Sequence, residues 1–103
     1  MKIDIKREED NAVMLFEGNF VAATLEGIKN SLKQLISEDV TAITMDFEKV
    51  DFIDSMGIGT LAACYNTLKN KGGGLTIINV NQNIKRLFSL MRLDSHFTIK
   101  EKE

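Results

Sequence analysis

Ile3 and Ile5 alternate with Lys2, Asp4 and Lys6, the period-two pattern of a strand with one buried face. Glu8-Glu9-Asp10-Asn11 is a turn signal, and the apolar run inside Ala12–Glu17 supplies the second arm of a hairpin. Gly18-Asn19 ends that arm. From about Ala22 the period changes: Leu25, Ile28, Leu32, Leu35 and Ile36 recur at helical spacing, with Lys29, Lys33 and Gln34 on the wet side. Ser37-Glu38-Asp39 stops this helix. Val40–Phe47 reads as a strand with Ile43, Met45 and Phe47 on one side, and Val50, Phe52 and Ile53 follow in a short connection.

Asp54-Ser55-Met56-Gly57-Ile58-Gly59 then opens a second helix, marked by Ile58, Leu61, Ala62, Tyr65 and Leu68 and closed at Lys71-Gly72-Gly73-Gly74. Leu75–Val80 is expected to be a strand buried on both faces. Asn81 or Asn83 can cap a third helix with Ile84, Leu87, Phe88 and Met91 inward, and Phe97-Thr98-Ile99 can form a last strand. The order β-β-α-β-α-β-α-β predicts an α/β domain. Its mixed sheet has four or five strands, with helices packed against it by right-handed crossovers.

Length and composition narrow the chemistry. At 103 residues the chain fits one domain, expected over residues 1–103. The net charge of -2, with both signs mixed along the sequence, argues against nucleic acid as the main partner, because phosphate binding needs a surplus of Lys and Arg on one face. No apolar run is long enough for a membrane span, and the charged start does not read as a signal peptide, so a cytoplasmic protein is expected. One cysteine (Cys64) and one histidine (His96) exclude an intrachain disulfide and a Cys/His zinc site within the chain. Cys64 reads as a small core filler, and Tyr65 as packed with its hydroxyl at the rim. Lys85 and Arg86 read as solvated. The charge clusters Arg7–Asp10 and Lys100–Glu103 read as solvated turns and tails. Gly72-Gly73-Gly74 follows a helix instead of opening one, so it is no nucleotide loop. Asp46, Asp51 and Asp54 are close in sequence, but strand alternation points Asp46 away from Asp54.

The segment Met45–Leu61 carries the chemical signal. Asp54 can accept from the free N–H groups of the helix it precedes. Gly57 and Gly59 cost helix stability unless something needs the room. Ser55 is a hydroxyl at a helix N-terminus, where the dipole and free N–H donors favour a phosphate while Asp54 opposes it. Modification there would change the surface and leave the fold standing. On residues alone, a plain capped helix with glycines for tight packing fits equally.

Phe52-Ile53-Asp54-Ser55-Met56-Gly57-Ile58-Gly59-Thr60-Leu61 resembles the signature of the STAS domain of bacterial anti-sigma-factor antagonists. Ile43–Phe47 with Val50, Gly72–Ile77, and Ile84–Phe88 with Leu93 and Phe97 resemble its flanking pieces, in order over nearly the whole chain. The resemblance implies a binding module with no catalytic residue and no cofactor of its own. Its partner would be an anti-sigma factor that is also a serine kinase and brings ATP and magnesium. The unmodified antagonist binds that factor, phosphorylation of the serine at position 55 releases it, and a metal-dependent phosphatase resets it. The implied partner-binding set is Asn19, Phe20, Val21, Asp54, Ser55, Met56, Gly57, Ile58 and Gly59. Asn19 and Val21 stand where the family often has acidic residues, and Met56 where it often has a small polar one, which makes the docking surface less polar. The alternative role is an unswitched adaptor subunit of a signalling or lipid-transport assembly, with Phe20, Val21 and Met56 in permanent apolar contact.

Overall fold

The computed structural model describes residues 1–101. Strand β1 (Lys2–Glu8) pairs antiparallel with β2 (Asn11–Glu17), and the hairpin turns on Glu9 and Asp10. Helix α1 (Leu25–Ser37) leads to β3 (Ala42–Lys49), α2 (Ser55–Asn70) to β4 (Gly74–Val80), and α3 (Gln82–Leu90), through a short 3-10 turn at Leu93–Ser95, to β5 (Thr98–Glu101). The strands lie in the order β1-β2-β3-β4-β5, and β2 through β5 run parallel. This is the expected mixed α/β sheet with five strands.

Parallel strands added in one direction by right-handed crossovers put their helices on one face of the sheet. The burial alternation agrees. Ala12, Met14 and Phe16 of β2, Ile43, Met45 and Phe47 of β3, and Leu75 and Ile77 of β4 are sealed under the helices. Their alternates Leu15, Thr44, Asp46, Thr76 and Ile78 are only half-buried. The expectation that β4 is buried on both faces is therefore corrected: the sheet has one covered face and one open face. Ile5 is likewise more exposed than its pattern predicts, because β1 is an edge strand.

Other boundaries shift for local reasons. Val21–Thr24 form a turn before α1, closed by the Thr24 N–H donating to the Val21 carbonyl at 2.9 Å. Arg7 and Glu8, expected in a solvated turn, belong to β1, and the Arg7 guanidinium ties the Glu38 carboxylate at the end of α1. Lys100 and Glu101 lie in β5, with Glu101 paired to Lys85 of α3; the rest of the expected tail, residues 102 and 103, lies outside the described residues. Met91 follows the last turn of α3 and is exposed, not inward. Gly73 has no room for a side chain: a Cβ there would lie 1.7 Å from the Thr41 carbonyl oxygen, which accepts from the Gly74 N–H.

Candidate functional site

Beneath the start of α2 lies a buried aromatic group. Phe16 and Phe20 meet edge-on with ring centroids 4.7 Å apart, and Phe20 and Phe47 are 4.9 Å apart. Such contacts favour a fixed arrangement of rings beyond the area they bury. Phe20 lies past the end of β2 yet still pairs, as an isolated parallel bridge with Ile53. Its N–H donates to the Phe52 carbonyl at 3.1 Å, and its own carbonyl accepts from the Asp54 N–H at 3.0 Å. The segment after β2 and the segment after β3 are thus stitched together just before each helix begins.

Two side chains tighten that seam. The Asn19 carboxamide oxygen accepts from the N–H groups of Asp51 and Phe52, both at 3.1 Å. Asp54 takes extended backbone angles as the cap of α2. One of its oxygens accepts from the Gly57 N–H at 2.8 Å, and the other reaches the Ala22 N–H at 3.1 Å. One carboxylate therefore satisfies a free donor of α2 and holds the turn that leads into α1.

Gly57 is where this arrangement needs a missing side chain. A Cβ there would stand 2.5 Å from the Phe20 carbonyl oxygen and 2.8 Å from Ile53 Cγ1. A Cβ on Gly59 would meet nothing within 4 Å. The two glycines of Gly-Ile-Gly thus have different standing: the first permits contact between two backbones, and the second faces open space.

Ser55 is the first residue of α2 and is exposed. The backbone N–H groups of Ser55 and Met56 have no partner among the described residues, as expected for the first turn of a helix. Phe52 and Met56 flank the serine, 55% and 56% exposed. The sequence-derived partner-binding set divides accordingly. Ser55, Met56 and Gly59 are at the surface, and Asn19, Val21 and Asp54 are half-buried at its rim. Phe20, Gly57 and Ile58 lie beneath it, with Phe20 fully buried. The reading of Phe20 as a surface contact is corrected by its pairing with Ile53, which turns the ring into the core. Phe52 was missed. Its signal was the apolar pair Phe52-Ile53 in an extended connection, where alternation sends one of the two outward.

Elsewhere the chemistry is sparse. Cys64 is buried, and that burial pushes its thiol from 9.0 up to about 12, so it stays protonated at neutral pH and is a poor nucleophile. His96 and Tyr65 have ring centroids 5.7 Å apart, and Tyr65 packs on Phe97. Asp46 accepts from the Asn79 side chain and the Glu48 N–H, with no link to Asp54. No group of three or more His, Cys, Asp or Glu side chains among the described residues could hold a metal ion. No described helix is long and apolar enough to cross a membrane.

Comparison with known proteins gives this geometry a context. The anti-sigma-B factor antagonist of Listeria monocytogenes is 24% identical over 104 residues, covering 100% of this chain and 91% of that protein. The crystal structure of a candidate anti-sigma factor antagonist from Thermotoga maritima superposes with a TM-score of 0.90 at 18% identity, over 96% of this chain and 86% of that one. The Bacillus cell fate determinant SpoIIAA, solved in its phosphorylated form, superposes with a TM-score of 0.76 at 19% identity, over 95% and 90% of the two chains. At such identities the solved structures speak for the fold. The model of the STAS domain matches residues 2–103. The chain therefore belongs to the STAS domain family, among relatives named as anti-sigma-factor antagonists.

Proposed function

We propose that this protein is an anti-sigma-factor antagonist switched by phosphorylation of Ser55. Unmodified, it binds an anti-sigma factor that is also a serine kinase, through the face formed by Ser55, Met56 and Phe52 with Asn19, Val21 and Asp54 at its rim. The kinase brings ATP and magnesium. The Ser55 hydroxyl oxygen takes the γ-phosphoryl group, its proton passes to a base on the kinase, and ADP leaves. A metal-dependent phosphatase restores the hydroxyl, and the cycle runs in the cytoplasm. The chain itself supplies no catalytic group.

The observation that carries this reading is the exposure of Ser55 as the first residue of a capped helix. A phosphate there is favoured by the helix dipole and by the free N–H groups, and is opposed by Asp54 next to it. The opposing effects leave the fold intact. What changes is the docking face, which gains about two negative charges between two exposed apolar side chains. The phosphorylated form solved for SpoIIAA supports the same chemistry in a relative of this fold.

The test is binding of Ser55 variants to the anti-sigma factors of the source genome. Ser55→Asp is expected to weaken binding at least tenfold, and Ser55→Ala to bind whether or not ATP is present. Equal binding by Ser55→Asp and the parent would overturn the switch.

The exposure of Phe52 and Met56 also favours a second reading, an unswitched adaptor held by apolar contact. Adding ATP to the complex separates the two. Release with one phosphate on Ser55 supports the switch, and an ATP-indifferent complex supports the adaptor.

A further inference from the structure

We propose that the groove between α1 and α2 is a second docking site, built to receive one acidic amphipathic helix of the anti-sigma factor. The inference rests on the reading of the Ser55 face as the place where that factor docks.

The groove begins at that face. Its upper stretch, about 400 Å³, is bordered by Ala22, Glu26, Lys29, Lys33 and Met56, and Met56 is the neighbour of Ser55. Its lower stretch, about 230 Å³, has a largely apolar lining that includes Leu32, Ile36, Ala63 and Cys64. Lys29 and Lys33 border both stretches, so the two adjoin at these lysines and are taken together as the channel. From Met56 to Thr67 the channel runs roughly 16 Å, by the 1.5 Å rise of α2, which is about three turns of a helix laid into it.

The shape selects the class of occupant. The channel is open along its length, so a small apolar ligand would stay half in water. A helix from another protein would cover the channel and bury its own apolar stripe there. Charge selects the composition of that helix. Lys29 and Lys33 are one turn apart on the same side of α1, and neither forms an ion pair among the described residues, Glu26 included. Within α1, α2 and α3 the charged side chains are Lys29, Lys33, Lys69, Lys85 and Arg86 against Glu26 alone, in a chain whose net charge is -2. The helical layer is therefore basic and the remainder acidic. An apolar stripe bordered by Asp or Glu at helical spacing would match the apolar floor of the lower stretch and the lysines that border both stretches.

The experiment measures binding to each purified anti-sigma factor of the source genome at low and high salt. Three variants are compared with the parent: Lys29→Glu with Lys33→Glu, Lys29→Arg with Lys33→Arg, and Ala63→Trp, which fills the channel without changing charge. Melting curves verify that each variant is folded. Charge reversal is expected to weaken binding at least tenfold at low salt and to flatten its salt dependence. The arginine pair should bind as the parent does, and Ala63→Trp should weaken binding by a similar factor at either salt. Unchanged affinity and salt dependence in the charge-reversed protein would overturn the proposal, as would unchanged affinity in Ala63→Trp. Salt-sensitive self-association of the parent that charge reversal abolishes would also overturn it, by making a second copy the occupant. Failure of the Ser55 reading looks different: Ser55→Asp would bind like the parent while the groove variants still lose affinity.

Discussion

Helices α2 and α3 begin in the same way and end up with different chemistry. Each follows a strand, each has a cap residue with extended backbone, and each cap oxygen accepts from the N–H three residues on at 2.8 Å, Asp54 from Gly57 and Asn81 from Ile84. Each cap also reaches across to another segment. Asp54 holds the Ala22 N–H, and the Asn81 amide donates to the Val50 and Asp51 carbonyls at 3.4 and 3.3 Å. A capped helix after a strand is therefore a general device of this fold and by itself marks no site. What separates α2 is the glycine at its third position, the exposed hydroxyl at its first, and the exposed Phe52 and Met56 beside it.

The comparison can be broken by substitution. The largest effect is expected at Gly57. Gly57→Ala should destabilise by about 2–3 kcal/mol, because the new methyl group meets a carbonyl oxygen and a buried side chain. Gly59→Ala, in the same turn but facing open space, should stabilise by up to about 1 kcal/mol through helix propensity. Urea unfolding of the pair checks this, and equal signs would mean that the close approach at Gly57 is not what the glycine is for.

Next come the caps. Asn81→Ala should cost about 1 kcal/mol, and Asp54→Ala nearer 2 kcal/mol, because the Asp54 acceptor is charged and its cross-segment bond, at 3.1 Å, is shorter than those of Asn81 at 3.3 and 3.4 Å. Thermal melts of the two variants side by side measure the difference.

The smallest effect is the sharpest. A carboxylate in the first turn of α3, as in Asn83→Asp, should stabilise by about 0.3–1 kcal/mol, since the cap there is neutral. Ser55→Asp should change stability by less than about 0.5 kcal/mol, because Asp54 repels what the dipole attracts. Chemical denaturation of both tests whether the first turn of α2 tolerates negative charge without gaining from it. That tolerance is what a reversible phosphate requires.

These contrasts also explain what could be read from sequence. The periodicities of Leu25–Ile36 and of Ile43, Met45 and Phe47 are strong because one face of each element is sealed. The Asp54 cap and the position of Ser55 follow from local chemistry and were legible for that reason. Phe20 was not, because Gly18-Asn19 looks like the end of a strand and only the tertiary bridge to Ile53 turns its ring inward. Phe52 was hidden for the complementary reason: once Ile53 is taken into the core, its neighbour must face out. The open face of the sheet was missed because Thr76 and Ile78 suit either environment by composition, while the topology leaves them uncovered. The division between Gly57 and Gly59 needed coordinates, since it depends on the distance between two backbones.

In this sheet the order in space repeats the order along the chain. Each new strand can join an edge that already exists, so assembly can keep pace with synthesis. The bonds that shape the serine's surroundings join residues 19–22 to residues 51–54, and both stretches emerge from the ribosome before β4 does. A late brace arrives when Asn81 grips the carbonyls of Val50 and Asp51. A nascent chain could thus present its phosphorylatable surface in outline first and have it locked by the second half of the molecule afterwards.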